Sequence, residues 1–161
     1  MPRPIGATSQ PEYDLIDSDP SFTRVVRYMR KTDYALWTSA TVAWPTLLAI
    51  WDTTDRIPLH GRKTHVYRMA TILGFTFGFL LAYQNSSKRF WGWIENGREM
   101  KRDFEELSAK AAAGKPLYGE VTLDEFTQTV AAGNSRFNVV NHNRHGVDTS
   151  KYYKHSPFNP D

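Results

Sequence analysis

The chain has 161 residues, a mass of 18.5 kDa and a formal net charge of +3, so its length permits one globular domain. It contains no cysteine, which excludes disulfides, thiolate metal sites, iron–sulfur ligation and a cysteine nucleophile. The small positive charge is not gathered into an arginine-rich stripe, and this argues against a nucleic-acid partner. Charges are instead missing from two long stretches, which indicates a membrane protein.

The N-terminal segment, residues 1–33, is predicted to contain an amphipathic helix at about residues 20–31. Asp19 and Pro20 form a helix-start signal, because Asp caps free N–H groups and Pro fits the first turn. The apolar stripe of this helix consists of Phe22, Val25, Val26 and Met29. The cations outside the stripe are predicted to bind lipid headgroups, and they are Arg24, Arg27, Arg30 and Lys31. The same apolar stripe would equally suit a neighbouring subunit.

Residues 34–51 are predicted to form the first membrane-spanning helix. The 18 uncharged residues between Asp33 and Asp52 would extend about 27 Å as a helix, close to the thickness of the hydrocarbon core. Pro45 is expected to kink this helix near its middle. Three Trp residues spaced by seven share one face, where we expect lipid contact and anchoring rather than cofactor stacking: Trp37, Trp44 and Trp51.

Residues 66–85 are predicted to form the second span, since 19 uncharged residues separate Arg68 from Lys88. Four small residues spaced by four should form a smooth groove along it: Ala70, Gly74, Gly78 and Ala82. The first helix offers a matching row of Ala35, Ser39 and Ala43. We expect the two rows to pack as a hairpin joined by a loop at residues 52–65, with docking onto another subunit as the alternative.

The basic residues near the span ends predict the topology. Nine lie on the terminal sides of the spans, whereas the connecting loop has Arg56, Arg62 and Lys63, with Arg68 within reach. This bias places both termini on the side from which insertion began, which is the cytosol in bacteria and the matrix in mitochondria. The first twenty residues lack an apolar signal core and are too acidic for a transit peptide, so we expect an internal targeting signal.

Residues 86–114 are predicted to form an interfacial collar followed by a helix from Ile94 to Ala113. The collar residues expected at lipid headgroups are Lys88, Arg89, Trp91 and Trp93. Gly114 and Pro116 should end the helix. A heptad-like seam along it should need a partner to cover it, and its members are Trp93, Gly97, Met100, Phe104, Leu107 and Ala111.

Residues 115–161 are predicted to form an extended, partly helical C-terminal tail. Thr122 and Glu125 match a capping box ahead of a short helix at about residues 123–132. From Asn134 onward no period is sustained, so this part should order only on other proteins. Its aromatic residues are the predicted partner-binding side chains: Phe137, Tyr152, Tyr153 and Phe158.

No constellation for catalysis, cofactor binding or metal binding is predicted. His142, His145 and His155 are a poor match to a tetrahedral zinc ligand set. Acidic residues interleaved with cations on the helix after the collar fit a solvated face: Glu95, Glu99, Asp103, Glu105 and Glu106. We therefore expect no catalytic residue, no cofactor and no small-molecule substrate.

Two stretches resemble a known family. LIDSDPSFTRVVRYMRKTDY (residues 15–34) and NHNRHGVDTSKYY (residues 141–153), with two spans and a basic collar between them, resemble the fungal 21 kDa accessory subunit of mitochondrial complex I. The resemblance covers nearly the whole chain. It implies a non-catalytic supernumerary subunit in the membrane arm of the NADH:ubiquinone oxidoreductase of the inner membrane, with no flavin, iron–sulfur cluster or quinone chemistry of its own.

The sequence thus predicts an all-α membrane protein: a two-span helical hairpin with an N-terminal amphipathic interfacial helix and an extended C-terminal tail. Its expected role is to stabilise or assemble the membrane arm of the respiratory chain's complex I by helix packing, by contact with phospholipids such as cardiolipin, and by its tail. An inner-membrane assembly factor or organiser of another complex is the first alternative. A small two-span transporter or membrane enzyme is the second, but it would need polar groups converging within the bilayer.

Overall fold

The computed structural model describes residues 11–54, 63–119, 124, 126–127, 130 and 146–154. Within these ranges all regular structure is helical, so the prediction of an all-α fold is confirmed for this part of the chain. In the described ranges the α-helices with both ends in view are α1 (Phe22–Arg27), α2 (Lys31–Thr54), α3 (Lys63–Phe90) and α4 (Gly97–Ala112). Residues Ser150–Tyr152 form a 3-10 turn.

The chain divides into two compact units. The helix-pair unit is continuous and comprises Val26–Ser86, which includes α2 and most of α3. The terminal unit joins the residues up to Val25 to those from Ser87 onward, and it contains α4 and the 3-10 turn. Residues far apart in sequence therefore share the terminal unit.

The N-terminal helix is shorter than the predicted helix of residues 20–31. α1 ends at Arg27, and α2 already begins at Lys31. The break has a capping explanation: the Asp33 carboxylate accepts the backbone N–H of Arg30 at 2.8 Å, while the Arg30 carbonyl accepts the N–H of Asp33 at 3.0 Å. Asp33 is the third residue of α2 and makes the N3 half of a capping box, which starts a new helix within the range where one continuous helix is predicted.

Inside α2 and α3 the threonine hydroxyls bond to backbone carbonyls of the same helix. Thr46 donates to Val42 O at 2.7 Å and Thr76 donates to Ile72 O at 2.9 Å. Each of these bonds gives a hydroxyl a partner within its own helix, which lowers the cost of placing it in an apolar environment. Pro45 lies within α2, which continues through it to Thr54.

The helix-pair unit is held together by close contact between α2 and the glycines of α3. A Cβ added at Gly74 would lie 2.8 Å from the carbonyl oxygen of Ala40, and one at Gly78 would lie 2.7 Å from that of Trp37. Because the later glycine meets the earlier residue of α2, the two helices run antiparallel. A salt bridge of 2.8 Å between Lys63 and Asp52 joins their adjacent ends.

The small-residue row of α3 is buried, whereas the row predicted on α2 is not the one that meets it. Ala70, Gly74, Gly78 and Ala82 are all buried. Ala35, Ser39 and Ala43 are exposed, and the α2 face against the glycines is instead formed by Trp37, Ala40 and Trp44. The indole of Trp37 donates to Phe75 O at 2.9 Å and its ring lies 4.9 Å from the Phe75 ring. The rings of Trp37 and Trp44 thus pack over the glycines of α3, while Trp44 remains 45% exposed.

Of the described helices, only α3 is both long and apolar enough to cross a membrane by length and composition. α2 has 24 residues, but its Thr, Ser and Trp residues and Pro45 lower its mean hydropathy. The prediction of two spans therefore goes beyond what length and composition establish for the helices that the structure contains.

Tight turns with glycine end α3 and α4. After α3, Trp93 N–H donates to Lys88 O at 2.9 Å and Gly92 N–H to Arg89 O at 3.2 Å, with Gly92 at φ +74°. This is a Schellman motif, and Gly114 at φ +64° ends α4 in the same way. Gly114 was the predicted stop of that helix. Its start, however, is Gly97 rather than Ile94.

Candidate functional site

A buried ionic cluster lies in the terminal unit. The guanidinium of Arg24 binds two carboxylates, through Nη1 to Asp17 and through Nη2 to Asp103. The hydroxyl of Tyr152 donates to the other oxygen of Asp103 at 2.7 Å. Arg24 is 7% exposed and Asp103 is 3% exposed, so these bonds are shielded from water. We call Asp17, Arg24, Asp103 and Tyr152 the Arg24 cluster.

Two aromatic rings flank the guanidinium of the Arg24 cluster. Its central carbon lies 5.3 Å from the ring centroid of Phe90 and 5.2 Å from that of Tyr118. Both distances are within the range of cation–π attraction. Because a planar guanidinium can bind carboxylates at its edge and rings at its faces, Arg24 connects α1, the end of α3, α4 and the C-terminal extension at one point.

The electrostatics of the cluster follow from burial. Two carboxylates share one guanidinium, and desolvation raises the pKa of Asp103, with the charge of Asp17 adding to the effect. Arg24 and the hydroxyl of Tyr152 act in the opposite direction but do not cancel the shift. Burial likewise raises the pKa of Tyr118 and of Tyr152, so both phenols stay protonated and can donate. The Arg24 cluster is therefore a buried network in which the polar groups bond to one another.

The N-terminal segment is bound along the end of α3. Tyr13 N–H donates to Gly92 O at 3.0 Å and Ile16 N–H donates to Phe90 O at 2.9 Å. The side-chain amide of Asn96 donates to Asp14 O at 2.7 Å and to Arg89 O at 2.9 Å, and so connects the N-terminal segment to the end of α3. A Cβ on Gly92 would lie 2.2 Å from Tyr13 O, so only glycine permits this approach.

The C-terminal extension folds back onto the same unit. Leu107, Ala111, Leu117 and Tyr152 form its buried apolar cluster, with Tyr118 and Tyr153 packed against it. Gly146 lies so close to the N-terminal segment that an added Cβ would be 2.8 Å from Ser18 Oγ. Ser18 and Gly146, 128 residues apart, therefore lie in contact within one unit.

Several predicted lipid-headgroup residues are buried or half-buried in this unit. Arg24 and Arg89 are buried, and Trp91 is half-buried with its indole donating to Ser18 O at 3.2 Å. Arg24 is thus an internal ion-pair partner, because Asp17 and Asp103 neutralise it more strongly than a solvated phosphate would. The others are at the surface: Arg27, Lys31, Lys88 and Trp93 are exposed and Arg30 is half-buried.

The predicted partner-binding tail is corrected at one residue. Tyr152, at 3% exposure, is bound within its own chain, and Tyr153 is half-buried beside it. Leu107 and Ala111 of the predicted α4 seam are buried, and Tyr152 of the C-terminal extension packs against them. Phe137 and Phe158 lie outside the described residues.

The buried face of α4 contains acids that were expected in solvent. Glu99 and Asp103 are both 3% exposed and share a face with Leu107 and Ala111, whereas Phe104 from the predicted seam is 46% exposed. The spacing of four from Glu99 to Ala111 was a signal that this face is buried. The acidic residues on this face made its burial hard to predict, since an acid on a helix surface is ordinarily solvated.

Of the short helix predicted at residues 123–132, the structure describes Asp124, Phe126, Thr127 and Val130. The Asp124 carboxylate accepts the N–H of Thr127 at 3.3 Å and also binds its hydroxyl. These bonds lower the pKa of Asp124 and are those of a helix N-cap. His142, His145 and His155 lie outside the described residues, within which no group of three metal-ligand side chains occurs.

Comparison with known proteins gives a consistent match. Residues 10–95 match the family model of the 21 kDa subunit of NADH-ubiquinone oxidoreductase complex I, and residues 104–161 match the model of the C-terminal part of that subunit. The chain is similar to the NADH-ubiquinone oxidoreductase 20.9 kDa subunit of Neurospora crassa, with 43% identity over 162 residues. That alignment covers 93% of this chain and 86% of the relative.

Proposed function

Because the chain belongs to the complex I 21 kDa subunit family and is therefore a non-catalytic accessory subunit of that enzyme, we propose that it anchors and stabilises the membrane arm as a two-span protein. Membership of the family also confirms the predicted resemblance and implies the mitochondrial inner membrane as the location and other complex I subunits as partners. The spans, their orientation and the manner of stabilisation are our proposals.

The observation that carries the proposal of two spans is the apolar outer surface of the helix-pair unit. Large hydrophobic side chains are exposed on both helices: Leu36, Val42, Leu47 and Ile50 on α2, and Met69, Ile72, Leu73, Phe77 and Leu80 on α3. A surface of this kind would be unstable in water and is stable in lipid. Because α2 packs along α3, a membrane that contains α3 contains α2 as well.

The proposed orientation places both termini in the matrix. The basic residues near the terminal ends of α2 and α3 outnumber those in the connecting loop, and the positive-inside rule then favours the matrix for the terminal unit. The exposed cations Arg27, Lys31 and Lys88 would contact anionic headgroups on that side, for which cardiolipin is the candidate lipid.

The terminal unit is proposed to bind neighbouring subunits on the matrix side. The Arg24 cluster and the bound N-terminal segment hold its surface in one conformation before binding, which lowers the entropic cost of association. Trp93, Ile94 and Phe104 are exposed apolar side chains on this unit, and they are the proposed contacts.

The absence of cysteine allows a direct test of topology. Single-cysteine variants Thr54→Cys, at the loop end of α2, and Ala112→Cys, at the end of α4, would be treated with a membrane-impermeant maleimide in mitoplasts. We expect Thr54→Cys to react and Ala112→Cys to react only after detergent is added. Equal reactivity of both sites would exclude a crossing by α3. The crossing by α2 is tested by Thr23→Cys in α1, which should also react only after detergent is added.

The role in the complex is tested by stoichiometry. Native gels of gently solubilised mitochondria should show the chain at one copy per NADH-oxidising holoenzyme. Its presence only in partial assemblies would favour an assembly factor, and migration as a small species would contradict membership of the mature complex.

A further inference from the structure

A groove of about 410 Å³ lies on the outer surface of the helix-pair unit. This volume falls in the range of roughly 300–1,000 Å³ that is usual for ligand sites. Its lining comes from the first turns of α2 and from one residue of α3, and consists of Tyr34, Trp37, Thr38, Thr41, Val42 and Phe75. All of these residues belong to the helix-pair unit.

The surface of this groove is apolar although polar side chains line it. Thr38 donates to Tyr34 O at 2.9 Å and Thr41 donates to Trp37 O at 2.9 Å, while the indole of Trp37 donates to Phe75 O at 2.9 Å. Each of these donors is thus satisfied within the helix pair, and methyl groups and ring faces remain toward the groove. Such a surface suits a hydrocarbon chain and offers nothing to a polar ligand.

A positive charge lies at the end of the groove. Lys31 is the first residue of α2 and is exposed. It precedes Tyr34 by three residues and Thr38 by seven, so the three residues share one face of the helix. The rise of an α-helix places Lys31 about 4.5 Å beyond Tyr34 along the axis. One amphiphile could therefore fill the apolar groove and contact the cation at the same time.

We propose that the groove binds one acyl chain of an anionic phospholipid whose phosphate contacts Lys31. The inference rests on the proposed function, because an acyl chain reaches the groove only if the helix pair lies in the bilayer. Charge complementarity and the apolar lining favour a lipid over a neighbouring protein helix, since a single phospholipid supplies the anion and the hydrocarbon at this spacing.

Photo-crosslinking of the full chain in nanodiscs tests the site. The nanodiscs contain phosphatidylcholine and a minor fraction of phosphatidylglycerol with a diazirine on its acyl chain. We expect adducts to concentrate on residues 34–42 and on Phe75. Thr38→Phe, which fills the groove, should lower this labelling several-fold, whereas Ser39→Phe, on the exposed neighbouring position, should leave it unchanged.

The charge is tested separately. Lys31→Gln should reduce the preference for phosphatidylglycerol over phosphatidylcholine about fivefold, the factor that corresponds to one basic side chain near an anionic surface, and Lys31→Arg should retain the preference. Phosphatidylglycerol is used because it has an anionic phosphate and two acyl chains, whereas cardiolipin has four acyl chains.

Three outcomes would overturn the inference. Labelling spread evenly over exposed residues such as Leu47 and Ile72 would remove the groove as a site while leaving the proposed spans intact. Absence of labelling on both helices would overturn the spans, and the lipid site with them. In intact complex I, a photoreactive side chain at Val42 that captures a neighbouring subunit instead of lipid would assign the groove to a protein.

Discussion

Arg24 and Asp103 are 79 residues apart in sequence and form a buried ion pair in the terminal unit. The same guanidinium also binds Asp17, so one side chain satisfies two carboxylates that would otherwise be buried and charged. The arrangement is stable because each of the three buried charges has a partner of opposite charge. A buried charge that loses its partner costs far more free energy than an exposed one.

Removing the guanidinium should therefore destabilise the protein strongly. Arg24→Ala is expected to lower the free energy of unfolding by about 3–5 kcal/mol, because Asp17 and Asp103 would be left buried without a counter-charge. Arg24→Lys should lose less, since a point charge retains neutralisation but not the two-sided geometry. Urea denaturation of the full chain in detergent micelles measures both.

The control for this pair of variants is Arg27→Ala, three residues further along α1. Arg27 is exposed and contacts the ring of Tyr28 at 5.9 Å, so its loss should cost less than about 1 kcal/mol. Equal losses for Arg24→Ala and Arg27→Ala would contradict a structural role for the buried cluster.

The raised pKa of Asp103 predicts a pH dependence of stability. Burial favours the protonated carboxyl in the folded state, so the contribution of Asp103 to stability is full below its ordinary pKa and is lost as pH rises through the raised value. Compared with Asp103→Asn, which cannot titrate, the wild-type protein should gain stability when pH is lowered through that window.

An acidic residue whose pKa is shifted in the opposite direction serves as the control. Hydrogen bonds from Ser150 lower the pKa of Asp148, so its contribution is present above its ordinary pKa and is lost as pH falls. Asp148→Asn should therefore remove a stabilisation that exists at neutral pH. If wild type and Asp103→Asn showed parallel stability curves from pH 7 to acid, the desolvated state of Asp103 would be disproved.

The glycines of α3 should be intolerant of larger side chains. Gly78→Leu places carbon atoms where Trp37 O and the Ala40 side chain already lie, and the contact distances of 2.7 and 2.9 Å for a Cβ alone require the helices to separate. We expect a loss of about 1–3 kcal/mol and less of the chain in complex I on native gels. Thr76→Leu, on the exposed side of α3, should incorporate normally. Normal incorporation of Gly78→Leu would show that close packing of α3 against α2 is not needed for assembly into the complex.

Gly92→Ala should release the N-terminal segment. The substitution meets Tyr13 O at 2.2 Å and imposes a left-handed backbone on a residue with a Cβ, which by itself costs about 1–2 kcal/mol. Amide hydrogen exchange of residues 13–17 should become faster. Gly114→Ala, also at positive φ, controls for the backbone penalty and should leave exchange at residues 13–17 unchanged.

The elements with a local cause could be predicted from the sequence. The Gly114 stop of α4 and the small-residue groove of α3 follow from residues next to one another or four apart, and the structure contains both. The start of α2 could not be predicted in this way, because Asp33 marks the charged end of an apolar stretch in the sequence, whereas in the structure its carboxylate accepts the backbone N–H of Arg30.

The site itself depended on distant partners. The helical period on α1 separates Arg24 from the apolar stripe, which normally means exposure. Only the fold brings Asp17, Asp103 and Tyr152 to it, and no spacing in the sequence encodes that meeting. The packing face predicted for α2 is wrong for a similar reason. A row of small residues and a row of Trp residues lie on the same helix, and either row can pack against glycines. In the structure the Trp rings form the contact.

Arg24 and Tyr152 both bind Asp103, and this shared partner imposes an order on folding. The contacts of the helix pair lie between residues 26 and 86 and can form while the rest of the chain is still being synthesised or imported. The terminal unit must wait for residue 152, because the hydroxyl of Tyr152 completes the bonds of Asp103. The helix pair can thus form before the terminal unit closes, and a chain truncated before residue 152 would keep the contacts of the helix pair but leave Asp103 without its bond to Tyr152.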